Sequence, residues 1–203
     1  MVSYEMLLSQ LKAGDLSKLE KSLIENIREK ESKSKGFGKK LPIIKRIVKD
    51  GERACDNKKF TQYHKFTYQG KEYNAFLDKY MILAIQGETF GYNECEDPYK
   101  VEQMMPSDEQ KNKYIEIDID MVDLKIFSKT SKIGKVYKPY IITLDGIRYG
   151  INPKFLLDAL NFNETTTIKV MINNPNAPII LQNDDAKTLG LVLPMKLQQV
   201  TSN

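Results

Sequence analysis

The side chains that most often perform catalysis are scarce in this sequence and lie far apart. His64 is the only histidine, and it stands in an alternating segment typical of a β-strand, which predicts a surface or half-buried position. A nucleophilic Cys–His pair would need Cys55 or Cys95 to meet His64 in space, which the sequence does not decide. The chain has no GxxxxGK loop, no GxGxxG following a strand, no HExxH and no CxxC pair. We therefore predict no catalytic residues and no cofactor, and we expect that the protein is not an enzyme.

Three carboxylates occur at alternate positions of one short segment. In residues 114–120, isoleucines alternate with Glu116, Asp118 and Asp120, so the three acids share one face of a predicted strand. Such a face could hold a metal ion, but no histidine and no further acidic cluster lies nearby in the sequence. The pattern therefore favours a solvated acidic strand face, and we predict no metal site.

Composition indicates an ordinary globular chain. The 203 residues are 41% hydrophobic and 29% charged, which suits one domain or two small ones with a proper core. No apolar run is long enough to cross a bilayer and no signal peptide opens the chain, so we expect no membrane association. Two distant cysteines favour a reducing compartment and hence a cytoplasmic location. The net charge of +4 permits contact with phosphate without requiring it.

The last third of the chain carries the clearest run of structural elements. Asp145-Gly146 is a hairpin turn signal between two β-rich segments, Tyr140–Leu144 and Ile147–Ile151. Asn152 fits a helix N-cap and Pro153 the first helical position, because Asn accepts from a free amide and Pro has none to leave unpaired. The unit reads β-β-α-β-β-β, with a helix and then three strands predicted at 153–161, 167–172, 177–181 and 189–197.

Helices are predicted at the beginning of the chain. Residues 3–30 carry leucine and isoleucine at helical spacing, and an interruption at Gly14-Asp15 predicts two helices in a hairpin. This arm either packs on the main domain or serves as a partner-binding or oligomerisation element. Residues 30–40, rich in Lys, Ser and Gly, predict a linker, and residues 41–49 predict an amphipathic helix.

Strands and loops are predicted in the middle of the chain. Alternating or β-rich segments predict strands within 60–68, 72–77, 80–85 and 114–120. Between them, residues 86–113 are polar and loop-rich. Residues 122–129 predict a short helix, and residues 130–138 a basic loop.

Three separated motifs resemble the bacterial sliding clamp, the DNA polymerase III beta subunit, in matching order and spacing. They are YGINPKFLLDAL at 149–160, APII at 177–180 and the closing LVLPMKL at 191–197. The resemblance is to the C-terminal domain of that family. It implies an α+β fold, with a clamp-like domain of antiparallel sheets and two helices at 41–199, a helical N-terminal arm and linker at 1–40, and a tail at 200–203. A clamp ring contains six such domains, three from each subunit, so a chain with room for one is a reduced form.

The resemblance implies a positively charged helix face directed toward duplex DNA. Clamp domains line the ring with two helices, whose lysines and arginines meet the DNA backbone without reading bases. In this chain the corresponding positions are Lys45, Arg46, Lys49 and Lys154. The alternative is that residues 41–49 form an amphipathic surface helix whose basic face meets only water.

The resemblance also implies an apolar pocket that takes a linear peptide from polymerase or repair proteins. In residues 76–85, Asp78 and Tyr80 match a turn of the family, whereas Lys79 replaces its glycine and Met81 its arginine. An apolar pocket supplies affinity, and an exposed backbone edge orients an extended peptide. The residues assigned to this pocket are Tyr80, Ile82, Leu191, Leu193, Pro194 and Met195.

These expectations lead to one function and two alternatives. We expect a non-catalytic, sliding-clamp-like accessory protein of DNA replication and processivity, which binds double-stranded DNA, polymerase or other clamp-binding peptides, or both, as a homo-oligomer. The first alternative is an interaction adaptor or decoy that kept the clamp domain without encircling DNA. The second is an unrelated β-rich structural protein. Salt separates DNA binding from apolar capture, because phosphate contacts weaken steeply with ionic strength.

Overall fold

The computed structural model describes residues 16–55, 57–134 and 136–197. The first helix predicted for the arm lies outside these residues, as does the tail. The described α-helices are α1 Leu16–Ser34, α2 Leu41–Cys55, α3 Asp108–Lys111, α4 Met121–Thr130 and α5 Pro153–Asn163. Two 3-10 helices lie in the connections before and after the first three strands, at Lys58–Thr61 and Val101–Met104. No helix in the described part of the chain is long and apolar enough to span a bilayer.

One large sheet organises the domain. Seven strands pair in the order β1-β2-β3-β11-β10-β9-β4, with every pairing antiparallel. Two short hairpins, β5–β6 and β7–β8, stand apart from it. The strands are β1 His64–Tyr68, β2 Lys71–Leu77, β3 Met81–Ile85, β4 Tyr114–Asp118, β5 Lys132–Ile133, β6 Val136–Tyr137, β7 Tyr140–Leu144, β8 Ile147–Ile151, β9 Thr167–Met171, β10 Ile179–Gln182 and β11 Thr188–Val192.

The fold contains a repeated pattern of one helix followed by three strands. Helix α2 precedes β1, β2 and β3, and helix α5 precedes β9, β10 and β11. The two groups join where β3 pairs with β11, so Ile82 lies opposite Leu191 and Met81 opposite Val192. This junction brings together segments that are about half the chain apart, and the candidate site lies beside it.

The large sheet separates two apolar cores. Because successive side chains of a strand point to opposite faces, Met81, Leu83 and Val192 enter the core shared with α2 and α5. Ile82 and Leu191 enter a second core on the other face, which is closed by residues of the two 3-10 segments. The α+β fold read from the sequence is therefore confirmed, with its two principal helices on one face of an antiparallel sheet.

Helix α5 begins as its sequence predicts. The side-chain oxygen of Asn152 accepts hydrogen bonds from the backbone amides of Lys154 (3.0 Å) and Phe155 (3.4 Å), and Pro153 occupies the first turn. The preceding hairpin turns at Asp145 and Gly146, which both have positive φ, as a two-residue turn of this kind requires.

Several boundaries differ from the sequence-based prediction. Helix α1 continues to Ser34, into the segment predicted as a linker, and Lys40 is buried, with its ammonium donating to the carbonyl of Phe162 (2.6 Å). The predicted basic loop at 130–138 contains the β5–β6 hairpin. The last strand ends at Val192, and residues 193–197 have no regular secondary structure.

Candidate functional site

An apolar pocket of about 260 Å³ opens beside the junction of β3 and β11, and we call it the Tyr80 pocket. It lies on the sheet face opposite α2 and α5, where the smaller core reaches the surface. Four of the six residues predicted for a peptide site line it: Tyr80, Ile82, Leu191 and Leu193. Its other lining residues are Phe60, Leu77, Asp78, Lys79, Met81, Tyr99 and Met104.

Strand register explains why residues so distant in sequence meet in this pocket. Ile82 and Leu191 are directly opposite each other in the β3–β11 pair, so their side chains emerge on the same face. Two residues further along, the backbone amide of Leu193 donates to the carbonyl of Tyr80 at 2.9 Å. Leu193 and Tyr80 thus extend the same apolar row beyond the end of the ladder.

The turn before β3 is held by the buried side chain of Asp78. One of its carboxylate oxygens accepts hydrogen bonds from the backbone amides of Tyr80 (2.7 Å) and Met81 (2.8 Å). Burial raises the pKa of Asp78 above its ordinary range, although these two hydrogen bonds oppose the rise. Lys79, which replaces the family glycine, does not have a positive φ, so the turn forms without a glycine.

The far wall of the pocket comes from loop segments that the sequence-based prediction did not assign to the site. Phe60 and Tyr99 pack with ring centroids 5.4 Å apart, and Asn57 donates a side-chain hydrogen bond to the hydroxyl of Tyr99 (3.2 Å). Met104 completes this wall at the end of the second 3-10 helix. In the sequence, Phe60 begins a segment predicted as a strand, and Tyr99 and Met104 are large apolar side chains within the polar segment 86–113.

His64 corrects a prediction, because it is fully buried rather than on the surface or half-buried. Its Nδ1 accepts a hydrogen bond from the backbone amide of Tyr99 (3.1 Å), and its Nε2 lies 3.0 Å from the carbonyl of Lys59, which requires a proton on Nε2. The imidazole therefore ties the two loop segments of the pocket wall together. Its partners are backbone groups, and the residue's role here is structural.

The His64 contacts predict that acidification destabilises the protein. Burial lowers the pKa of His64, so the unfolded chain binds the proton first, and stability falls as pH drops below about 6.5. A proton on Nδ1 would also break the bond to Tyr99. We expect the free energy of unfolding to fall by up to about 1.4 kcal/mol per pH unit in this range. Urea unfolding between pH 7.5 and 5 measures the effect, with His64→Gln as the comparison that removes this slope.

A direct readout is available because the chain has one histidine. The ring protons of His64 can be followed by NMR through a pH titration of the folded protein, without ambiguity of assignment. A midpoint at or above the ordinary histidine value would contradict the prediction.

Pro194 and Met195 lie next to the Tyr80 pocket in sequence but do not line it. The backbone amide of Met195 donates to the carbonyl of Gly150 at 2.8 Å, which directs this part of the chain toward the β7–β8 hairpin. A Cβ at position 150 would approach the Leu197 side chain to 2.5 Å, so the glycine allows the closing segment to dock there. Pro194 and Met195 therefore contribute no side chain to the pocket, and they connect Leu193 to the segment that docks on the hairpin.

The second predicted site is the basic face, defined by Lys45, Arg46, Lys49 and Lys154. The ammonium of Lys45 lies 2.7 Å from the carboxylate of Glu25 and 3.2 Å from that of Glu29, both on α1. Burial lowers the pKa of Lys45, but these hydrogen bonds outweigh it and hold the pKa above its ordinary value. Helix α1 of the N-terminal arm thus covers part of the face that the resemblance assigns to DNA.

The remaining charges of the basic face connect α2 to α5. Arg46 forms an ion pair with the buried Asp158, and Lys154 lies 3.6 Å from Asp50. Asp158 is thus buried on α5, where it faces α2. Lys49 is exposed and has no acidic partner within the described residues. The four residues do share one region, but three of them already have counter-charges.

The acidic strand face is satisfied by neighbouring groups. Glu116 pairs with Lys169 on the adjacent strand (3.0 Å), and Asp118 accepts from the hydroxyl of Thr167 (2.8 Å). Asp120 caps α4 by accepting from the amides of Val122 and Asp123. No group of three metal-binding side chains occurs within the part of the chain that the structure describes.

The antiparallel sheet with two principal helices on one face is the fold of sliding-clamp domains. Residues 103–196 match the model of the family described as DNA polymerase III beta subunit, C-terminal domain. Residues 103–196 are therefore similar to that domain, and the resemblance to the C-terminal domain of the bacterial sliding clamp that was read from the sequence is confirmed. No curated protein matches the sequence.

Solved clamps share the fold at low sequence identity. A candidate DNA polymerase III beta subunit from Eubacterium rectale aligns with 18% identity and a TM-score of 0.56, covering 78% of this chain and 63% of its own. The Bacillus subtilis sliding clamp aligns with 14% identity and a TM-score of 0.52, covering 78% and 62%. The Helicobacter pylori beta clamp bound to a DNA ligase peptide aligns with 15% identity and a TM-score of 0.50, covering 76% of this chain and 62% of its own. The chain thus spans under two thirds of the length of these clamps.

Proposed function

We propose that this chain is a non-catalytic, clamp-type accessory protein of DNA replication that binds extended peptide segments of partner proteins in the Tyr80 pocket. The single observation that carries the proposal is the meeting of Tyr80, Ile82, Leu191 and Leu193 at one concave apolar surface.

The chemistry of the pocket supports an apolar peptide as its ligand. Its exposed surface is mostly carbon, from leucine, methionine and aromatic side chains, and its volume of about 260 Å³ suits one or two large apolar side chains. One carboxylate oxygen of Asp78 accepts both of its hydrogen bonds from backbone amides of the turn, so this side chain shapes the wall of the pocket. A DNA ligase peptide is the ligand of the Helicobacter pylori clamp, which has the same fold.

The direct test is a binding titration with that class of ligand. A fluorescently labelled DNA ligase peptide, of the kind bound by the Helicobacter pylori clamp, is titrated with the full chain and followed by polarisation. We expect saturable 1:1 binding that changes little between low and high salt, because apolar contacts dominate. A scrambled peptide of equal composition is the control. Equal binding of the two peptides, or no saturation, would contradict the proposal.

The second candidate function is non-specific binding of the duplex DNA backbone by the basic face. The adjacency of α2 and α5, with Lys49 exposed and without a counter-charge in the described residues, is the observation that favours it. The acids of α1 weigh against strong binding, because Glu25 and Glu29 already neutralise Lys45. Because the positive charge of the basic face is largely neutralised, peptide binding is the leading function. An adaptor that binds partner proteins without encircling DNA is consistent with the same observation.

Releasing Lys45 is expected to strengthen DNA binding. In Glu25→Gln/Glu29→Gln, the Lys45 ammonium keeps its charge and loses both partners, so we expect about three- to tenfold tighter binding of a duplex at low salt. The gain should shrink as ionic strength rises, by roughly one power of salt for each phosphate contact added. Electrophoretic or anisotropy titrations at several salt concentrations measure both quantities.

The matched control is Glu102→Gln/Glu109→Gln, which changes the net charge equally at exposed positions outside α2 and α5. If both double variants raise affinity by the same factor, the effect is one of net charge, and the basic face is not the DNA-binding surface.

A further inference from the structure

Two charged side chains line the otherwise apolar Tyr80 pocket, and only one of them is free to meet a ligand. Asp78 is buried, one of its carboxylate oxygens accepts the two amides of the turn, and burial raises its pKa. Lys79 is exposed, and its ammonium forms no ion pair with any acid of the described residues. The free charge on the pocket wall is therefore positive.

The ammonium of Lys79 lies beside the part of the pocket that a ligand would cover. It is 5.8 Å from the centre of the Tyr80 ring, within the range of a cation–π contact. Tyr80 is 47% exposed, and its ring also stacks on Phe155 with the centroids 6.0 Å apart. Because Asp78 holds the amides of this turn, the backbone of Lys79 has a fixed place next to the pocket.

The neighbouring charges do not offset Lys79. Lys59, close to the far wall, forms an ion pair with Asp97. Glu102 belongs to the second 3-10 helix, but it lines a different depression of the surface. The other exposed charges near Tyr99 in the chain, Glu96 and Lys100, are opposite in sign and do not line the pocket.

A peptide that covers Tyr80 removes water from the ammonium of Lys79 as well. A charge that loses water without gaining a partner costs free energy, so a wholly neutral peptide binds with this cost in place. A carboxylate beside the apolar side chains of the peptide offsets the cost through a charge-assisted hydrogen bond. Complementary charge at the rim of an interface also disfavours ligands of the wrong sign.

We propose that Lys79 is a specificity-determining residue of the Tyr80 pocket, selecting peptides that carry an acidic side chain next to their apolar residues. The apolar wall supplies most of the affinity, and the ammonium of Lys79 supplies the preference for negative charge. The inference rests on the proposed function, since it requires that the pocket binds peptides. It concerns a position at which this chain has lysine in place of the glycine of the family.

The test is a positional scan of the labelled DNA ligase peptide, with both ends blocked so that neither terminus carries a charge. Each polar position is replaced in turn by glutamate, glutamine or lysine, and binding to the full chain is followed by polarisation. At one position or more, we expect glutamate to bind about three- to fivefold tighter than glutamine at low salt, and lysine to bind more weakly. The difference should shrink as ionic strength rises.

Reversing the charge of Lys79 should reverse the preference. With Lys79→Glu, the lysine peptide at the selected position should bind tighter than the glutamate peptide by a similar factor. Misfolding cannot mimic this result, because the variant gains a ligand. Lys129→Glu is the matched control, since it changes the net charge equally at an exposed position of α4, which packs on the opposite face of the sheet. It should keep the preference for glutamate.

The outcomes separate this inference from the proposed function. Saturable binding with equal affinity for glutamate and glutamine at every position would overturn the inference and leave the proposed function in place. A preference for glutamate that survives Lys79→Glu unchanged would also overturn it, because another group would then recognise the carboxylate. The absence of saturable binding for every peptide would overturn the proposed function and this inference together.

Discussion

Replacing Leu193 by aspartate should lower the affinity for a partner peptide by at least about a hundredfold. Leu193 lines the Tyr80 pocket beside Tyr80, and its side chain is 40% exposed in the free protein. A peptide that fills the pocket would cover the rest of this surface. Burying a leucine contributes about 1.5–3 kcal/mol, and burying an unpaired carboxylate in the same place adds a cost of its own.

The substitution should leave the fold intact. Leu193 follows the last residue of β11, and its link to the sheet is the backbone hydrogen bond to Tyr80, which aspartate can also make. A change to a partly exposed side chain outside the cores usually alters stability by little. Loss of binding without loss of stability is the expected signature, measured by peptide polarisation and urea unfolding on the same samples.

Ile172→Asp is a close control. Ile172 is 41% exposed, follows the end of β9, and donates its backbone amide to the carbonyl of Lys113 at 2.8 Å. It does not line the Tyr80 pocket. If the two variants lose affinity equally, or if Leu193→Asp binds as the wild type does, the pocket is not the peptide site.

Local signals in the sequence predicted the elements, and the resemblance to clamps supplied four of the eleven residues that line the pocket. The Asn152-Pro153 cap and the Asp145-Gly146 turn depend on neighbours in sequence, and both formed where predicted. The strand predicted at 114–120 from its alternation also formed, but it ends at Asp118. Tyr80 and Leu191 were assigned to one pocket through the resemblance to clamps. The pairing of β3 with β11 is a long-range contact that no local pattern specifies.

The rest of the site depended on contacts that lie outside any periodic segment. Tyr99 joins the pocket because His64, buried against the loop, accepts the hydrogen bond of its amide. Asp158 is buried on α5, and its counter-charge comes from Arg46 of another helix. Each case requires a partner about thirty residues or more away, which helical or strand spacing cannot reveal.

Replacing Arg46 by alanine is expected to cost about 2–4 kcal/mol of stability at neutral pH. Asp158 is buried, and one of its carboxylate oxygens already has no hydrogen-bond partner among the described residues. Arg46 pairs with the other oxygen, so its removal leaves a buried carboxylate whose ionised form is favoured only by the charge of Lys154, which makes no ion pair with it. Breaking one side of such a pair costs more than the pair itself contributes.

The pH dependence of this loss identifies its cause. Burial raises the pKa of Asp158 even with Arg46 present, and the rise should be larger without it. The folded state then binds the proton more tightly than the unfolded chain, so the stability of the variant falls as pH rises above about 4. The deficit relative to wild type should therefore be greatest near pH 7 and should shrink toward pH 4, measured by urea unfolding at both pH values.

Two further variants separate this structural role from a role in DNA binding. Arg46→Ala/Asp158→Asn removes the uncompensated carboxylate, so it should recover much of the stability that Arg46→Ala loses. The basic face still lacks the positive charge of Arg46 in this variant. Lys49→Ala, on the same helix but exposed and without an acidic partner in the described residues, should change stability by no more than about 0.5 kcal/mol.

If Arg46→Ala is as stable as Lys49→Ala, Arg46 is available to a ligand. If it is destabilised and then rescued, its charge is committed to holding α2 against α5, and Lys49 is the better candidate for a phosphate contact.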